Sequence, residues 1–160
     1  MEDREIRLPY QIWTLEEMTE PDQALVESAL QAAQTAYAPY SHFRVGCALR
    51  LENGQTVQGS NQENASSPCG TCAERTALNY AEALCPQTPV SVIAIAALTE
   101  KGQTPMPVTP CGLCRQALLE AQKRQPDRSI RLIMAGRQEV WVISSVSLLL
   151  PMQFAAESME

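Results

Sequence analysis

Val90-Ser91-Val92-Ile93-Ala94-Ile95-Ala96-Ala97-Leu98 is an apolar, β-branched run of the kind that forms a strand buried on both faces. Such a strand needs one layer above it and another below, so its neighbours in the chain decide the architecture. Upstream, residues 72–84 read as a helix that ends before Pro86. Downstream, residues 111–123 read as a second helix entered through Pro110. Strands follow at 130–134 and 139–143. Toward the N-terminus, segments 43–51 and 56–60 flank Glu52-Asn53-Gly54-Gln55, where Asn-Gly supplies the positive backbone angles of a tight turn; together they predict a hairpin. Residues 21–38 carry Leu25, Val26, Ala29, Leu30 and Ala33 at helical spacing behind Pro21, which suits a first helical turn. The order helix, hairpin, helix, strand, helix, strand, strand predicts an α/β fold, a three-layer α/β/α sandwich with a mixed sheet of about five strands. Residues 5–13 alternate Ile6, Leu8, Tyr10 and Ile12 with mostly polar neighbours, a strand pattern that Pro9 confines to an edge. The chain thus divides into an N-terminal extension, 1–18, and a single domain, 19–160.

At 160 residues the chain can bury a core without disulfides or a structural metal. Its longest apolar stretches, 92–98 and 146–150, are too short to cross a bilayer, so no membrane association is expected. Glu2-Asp3-Arg4-Glu5 is the wrong chemistry for a signal peptide, which predicts a cytoplasmic protein with reduced thiols. The formal net charge of -6 argues against nucleic acid as partner, because affinity for a polyanion comes from Lys and Arg on phosphates. A small, neutral substrate fits better.

Four of the six cysteines form two look-alike pairs, Cys69-Gly70-Thr71-Cys72 and Cys111-Gly112-Leu113-Cys114, and Glu74 follows the first. Two Cys-x-x-Cys units can build a closed four-thiolate zinc site in a non-catalytic binding module. Three thiolates beside an acid instead suggest a zinc with an open position. The segment between Cys72 and Cys111 holds most of a helix and a whole strand, more than the roughly 15 to 20 residues separating the pairs of a zinc ribbon. Cys72, Cys111 and Cys114 are each predicted in the first turn of a helix, where backbone N–H groups and the helix dipole favour thiolate. Zinc with three thiolates carries a net negative charge. The helix N-termini and Arg75, as a donor to a ligand sulfur, would offset it. Taken alone, Glu74 is an acid favoured in a first helical turn. Beside a thiolate ligand and upstream of Pro110-Cys111-x-x-Cys114, it fits the pattern of zinc deaminases, in which a glutamate moves protons without binding metal.

Cys72-Ala73-Glu74-Arg75-Thr76-Ala77 and Pro110-Cys111-Gly112-Leu113-Cys114-Arg115-Gln116 resemble the cytidine deaminase family in its small, three-cysteine, usually homotetrameric form. Ala38-Pro39-Tyr40-Ser41-His42-Phe43 with Val45-Gly46, Asn61-Gln62-Glu63-Asn64-Ala65, and Leu149-Leu150-Pro151 with Phe154 resemble it in order and spacing. The resemblance spans 38–154 and leaves the first eighteen residues without a counterpart. It implies one Zn²⁺ per chain on Cys72, Cys111 and Cys114, with Glu74 taking a water proton and returning it to N3 of the pyrimidine. It further implies substrate contacts from Phe43 to the base, Asn61 and Glu63 to the ribose, Ala73, and Phe154 lent by a neighbouring subunit of a homotetramer (a homodimer being the other assembly). Hydrolytic deamination of cytidine and 2′-deoxycytidine in pyrimidine salvage is the implied activity. A modified or antibiotic cytosine nucleoside is the alternative substrate. Ser67 stands where the family often has a tyrosine, Arg44 replaces a common proline, and Cys47 a common alanine. Cys47 and Cys85 read as small buried residues, and His42, the lone histidine, as a loop residue.

Overall fold

A computed structural model of the chain describes residues 1–125 and 127–159. The strand at its centre is β4 (Val90–Thr99), preceded by β1 (Gln11–Trp13), β2 (Arg44–Leu51) and β3 (Thr56–Ser60), and followed by β5 (Gly102–Gln103), β6 (Arg131–Ala135) and β7 (Val140–Ile143). The helices are α1 (Glu20–Gln34), α2 (Ala73–Leu84) and α3 (Gly112–Lys123). The sheet runs β1-β7-β6-β4-β2-β3, with β5 appended to β4. Among the strands of the described residues only β4 and β6 pair in parallel, because α3 carries the chain back between them; the other strand pairs are antiparallel. The five strands expected, β2, β3, β4, β6 and β7, are all present, and β1 and β5 extend them.

Successive β4 residues face opposite layers. Ile93 and Ile95 enter a core with Leu49, Ala77, Leu118 and Leu132 under α2 and α3. Val92, Ala94 and Ala96 enter the other, with Leu25, Val26, Ala29 and Val140 under α1. Two glycines of the hairpin set how closely the helices approach it. A Cβ on Gly46 would lie 1.9 Å from the Ala29 carbonyl oxygen of α1, and one on Gly59 would lie 2.4 Å from the Ala77 nitrogen of α2. The hairpin is therefore gripped by helix backbone from both faces. Asp22, 2% exposed at the start of α1, accepts hydrogen bonds from Arg50 of β2 (2.9 Å) and from Arg131 of β6 (2.6 and 2.8 Å), tying that helix across the sheet.

Several boundaries differ from expectation. The strand expected over 5–13 shrinks to Gln11–Trp13, paired with β7, and residues 1–10 are exposed, since Pro9 has no N–H to donate to a ladder. The first helix stops at Gln34 because Thr35 caps it, its Oγ1 donating to Ala32 O at 2.8 Å. Cys72 and Cys111 are helix N-caps with extended backbone rather than first-turn residues; only Cys114 lies inside its helix. Cys47 is buried, while Cys85 is half-buried at the end of α2, 3.1 Å from Gln55 Oε1. Among the described residues no helix is long and apolar enough to cross a membrane.

Two outcomes test this packing. Gly59→Ala forces α2 off β3, and urea unfolding is expected to show a loss of about 1–3 kcal/mol. For Asp22, burial raises the carboxyl pKa, but the Arg131 and Arg50 hydrogen bonds outweigh it and hold it below its ordinary 3.8. The ionised form's contribution is thus complete above pH 3.8 and is lost as pH falls through the depressed folded value. Asp22→Asn should destabilise by about 2 kcal/mol at neutral pH, the arginines being partly solvated, and the gap from wild type should close in acid.

Candidate metal centre and active site

The α2 and α3 N-termini meet. Cys72 caps α2, Cys111 caps α3, and Cys114 is the third residue of α3. Their sulfurs all lie within 4.8 Å of one another, Cys72 and Cys111 at 3.9 Å. Sulfurs sharing a tetrahedral zinc at about 2.3 Å would be about 3.8 Å apart, so the donor set and its spacing fit that ion. At α3 the first-turn N–H groups of Cys114 and Leu113 face the Cys111 sulfur. Cys69, in a 3₁₀ turn at Ser67–Cys69, is exposed and outside the group, so the two pairs are not equivalent. His42 sits in the loop before β2 with φ 54°, also outside it.

The thiols do not titrate alike. Burial, then the Glu74 carboxylate and the Cys111 thiol, push Cys72 up. Burial and the charges of Glu74 and Cys72 push Cys114 far up. Cys111 goes the other way, because N–H groups of Cys114 and Leu113 and the neighbouring thiols outweigh its burial. Three thiolates beside a carboxylate repel one another, so the fully ionised form of the group would need a dication in place of the protons. Arg75 supplies positive charge here. Burial lowers its pKa, but the sulfurs of Cys72 and Cys114 more than compensate and raise it. Its Nη2 donates to Gly70 O at 3.4 Å, and its Nε is buried without a hydrogen-bond partner among the described residues, a donor left for ligand sulfur.

Ala73 and Glu74 are the first two residues of α2, fully buried and 5% exposed respectively. Burial raises the Glu74 pKa against its own backbone N–H, the Cys114 thiol and the Arg75 charge. A carboxyl held above its usual value beside a three-thiol cluster holds a proton more readily than an exposed glutamate does.

Beside the centre lies an open cleft of about 760 Å³, lined by Asn61, Glu63, Ser67, Cys72, Arg75 and Leu113 among others. Glu63 Oε2 accepts from the backbone N–H groups of Tyr40 (2.8 Å) and Ser41 (3.3 Å). The Ser41 side chain and these N–H groups hold its pKa below the ordinary carboxylate value. The Asn61 amide is partly committed: its Oδ1 accepts from Val45 N–H at 2.7 Å and its Nδ2 donates to Phe43 O at 3.0 Å. Neither Phe43, half-buried just before β2, nor Phe154, 61% exposed on the C-terminal segment, lines the cleft, and Ala73 and Glu74 are buried without lining it. The Tyr40 and Ser41 N–H groups carry no signal in the sequence, since a backbone donor does not depend on residue type; Leu113, 68% exposed at the cleft, carries none either.

Residues 19–126 match the family described as cytidine and deoxycytidylate deaminase zinc-binding region. The cytidine deaminase of Halalkalibacterium halodurans is 40% identical over 137 residues, covering 86% of this chain and 96% of that protein. A crystal structure of cytidine deaminase from Burkholderia pseudomallei matches with a TM-score of 0.71 at 39% identity, covering 86% of this chain and 100% of that one. That of the Mycobacterium tuberculosis cytidine deaminase matches with a TM-score of 0.61 at 30% identity, covering 82% and 95%. The chain belongs to the cytidine deaminase family.

Removing single thiols tests the metal centre. Cys72→Ala, Cys111→Ala or Cys114→Ala should each lose bound zinc, while Cys69→Ser should keep one ion per chain. Elemental analysis reads the stoichiometry, and X-ray absorption at the zinc edge should find three sulfurs. Four sulfurs would restore the closed four-cysteine site.

Proposed function

We propose that the chain catalyses hydrolytic deamination of cytidine and 2′-deoxycytidine to uridine and 2′-deoxyuridine, releasing ammonia, with residues 19–160 as the catalytic domain. The observation that carries this reading is the buried Glu74 carboxyl, its pKa raised, two residues beyond the N-cap thiol of a three-thiol cluster. A zinc ion on Cys72, Cys111 and Cys114 supplies, when bound, the Lewis acidity that makes water a nucleophile at neutral pH. Glu74 takes the proton of the attacking water and delivers it to N3 of the pyrimidine as the new oxygen bonds to C4. It then takes the proton of the new C4 hydroxyl and hands it to the amino group, so that the C4 carbonyl forms as the C4–N bond breaks and ammonia leaves. Arg75 and the two helix N-termini offset the charge of the thiolates.

The ribose falls to Asn61 and Glu63. The second amide hydrogen of Asn61 and the Glu63 Oε1 are left for sugar hydroxyls once their contacts to Val45, Phe43, Tyr40 and Ser41 are made. Phe43 and Ala73 bound the base. Phe154, solvent-exposed in the single chain, enters the site of a neighbouring subunit in a homotetramer. A cytoplasmic, salvage role accords with a neutral nucleoside substrate. A second reading, a cytosine nucleoside with a bulkier substituent, has one observation in its favour: Ser67 lines the cleft where relatives often carry tyrosine.

Glu74→Gln is expected to keep its zinc and lose deamination of cytidine by at least about 10²-fold, followed by ammonia release. A variant with near wild-type turnover removes Glu74 from the chemistry. Wild type inert on cytidine but active on a substituted analogue selects the second reading.

A further inference from the structure

Helix α3 does more than deliver two thiols. Its fourth and fifth residues, Arg115 and Gln116, both reach the chain that follows β7. Arg115 Nε donates to Pro110 O at 3.0 Å, on the approach to Cys111, and its Nη1 donates to Leu149 O at 3.2 Å. Gln116 Nε2 donates to Phe154 O at 3.1 Å. Lys123, two helical turns beyond Gln116 on the same stripe, pairs with Glu157 at 2.9 Å. The C-terminal segment is thus laid along α3 by contacts at 149, 154 and 157, with Ala155 buried between the last two. The Phe154 ring itself stays exposed.

We infer that Gln116 is a positioning residue for Phe154: its amide fixes the Phe154 backbone to the helix bearing Cys111 and Cys114, and so sets where the ring stands. Arg115 fixes the origin of the same segment at Leu149 and, through Pro110, refers it to the metal-ligand loop. The inference rests on the proposed reading that Phe154 contacts substrate in a neighbouring subunit. A neutral hydrogen bond on an exposed segment is worth only a small factor in equilibrium terms, so Gln116 acts by holding a conformation, not by touching substrate.

Wild type, Gln116→Leu, Phe154→Ala and the double variant should be compared for cytidine kinetics, zinc content, sedimentation and amide hydrogen exchange over residues 150–156. Gln116→Leu is expected to speed exchange there and to raise KM about 2- to 10-fold, with kcat, zinc and assembly little changed. In the Phe154→Ala background, the same change should add nothing to KM, since the group it positions is gone. Gln116→Glu, which sets a carboxylate against the Phe154 carbonyl with little change in volume, should reproduce the effect if the leucine variant folds poorly. Unchanged exchange overturns the inference whatever the kinetics. So does a KM effect that multiplies with that of Phe154→Ala. Faster exchange with no KM change in either single variant removes Phe154 from the substrate site and the inference with it. Faster exchange with a KM effect of Phe154→Ala alone leaves the proposed function standing and refutes Gln116.

Discussion

The contact between α2 and β3 is the constraint from which the site follows. At Gly59 the strand backbone meets the helix backbone with no room for a Cβ, the Ala77 nitrogen and Ala73 carbonyl standing at 2.4 and 2.8 Å from where one would be. A helix seated on bare backbone cannot slide or roll as one resting on side chains can, because no flexible group is available to yield. Ala73, whose carbonyl makes that contact, lies between Cys72 and Glu74. The same seating therefore fixes Cys72 of the thiol cluster on one side and the buried Glu74 carboxyl on the other. Gly46, pressed to α1 from the opposite face, keeps the hairpin from retreating.

Two clusters of ionisable groups occupy this frame, and they are resolved differently. Asp22 is surrounded by its compensation: two arginines donate three hydrogen bonds to one carboxylate, and its pKa falls despite burial. Around Cys72, Cys111 and Cys114 the neighbours are other thiols, Glu74 and a single cation, Arg75, and two of the three thiol pKa values rise. The first cluster is complete within the chain and serves the fold. The second is compensated only in part by Arg75 and two helix ends, and a bound cation would supply the rest, as expected where a site is arranged for chemistry rather than stability.

Much of this was legible in the sequence because it rests on patterns with one physical reading. The two-sided apolar run became β4, Asn53-Gly54 became the β2–β3 turn with Gly54 at φ 86°, and the prolines bounded the helices. The thiol group was legible because Cys72, Cys111 and Cys114 each stand at a helix start that can be seen in the sequence. What escaped was set by backbone and by distance. Nothing in the residue types of Tyr40 and Ser41 announces that their N–H groups hold Glu63, 22 residues or more away. Cys69 and Cys72 look alike in sequence and differ only because the 3₁₀ turn at Ser67–Cys69 turns one thiol to solvent and leaves the other at the cap. The two-residue β5 carries too little pattern to see.

The charge of the cleft bears on which members of the family's substrate range the proposed site would take. Arg75 is the one cationic side chain among the described residues lining it, and Arg75 is turned to Gly70 O and to the sulfurs. Glu63 faces the same space as a carboxylate stabilised in its ionised form. A 5′-phosphate would bring nearly two negative charges into a cleft whose cation is already engaged and whose free acceptor is an anion, within a chain of net charge -6. A neutral ribose meets no such opposition, and its hydroxyls can donate to Glu63 and accept from Asn61. Electrostatics and hydrogen-bond chemistry therefore favour the nucleoside over the nucleotide.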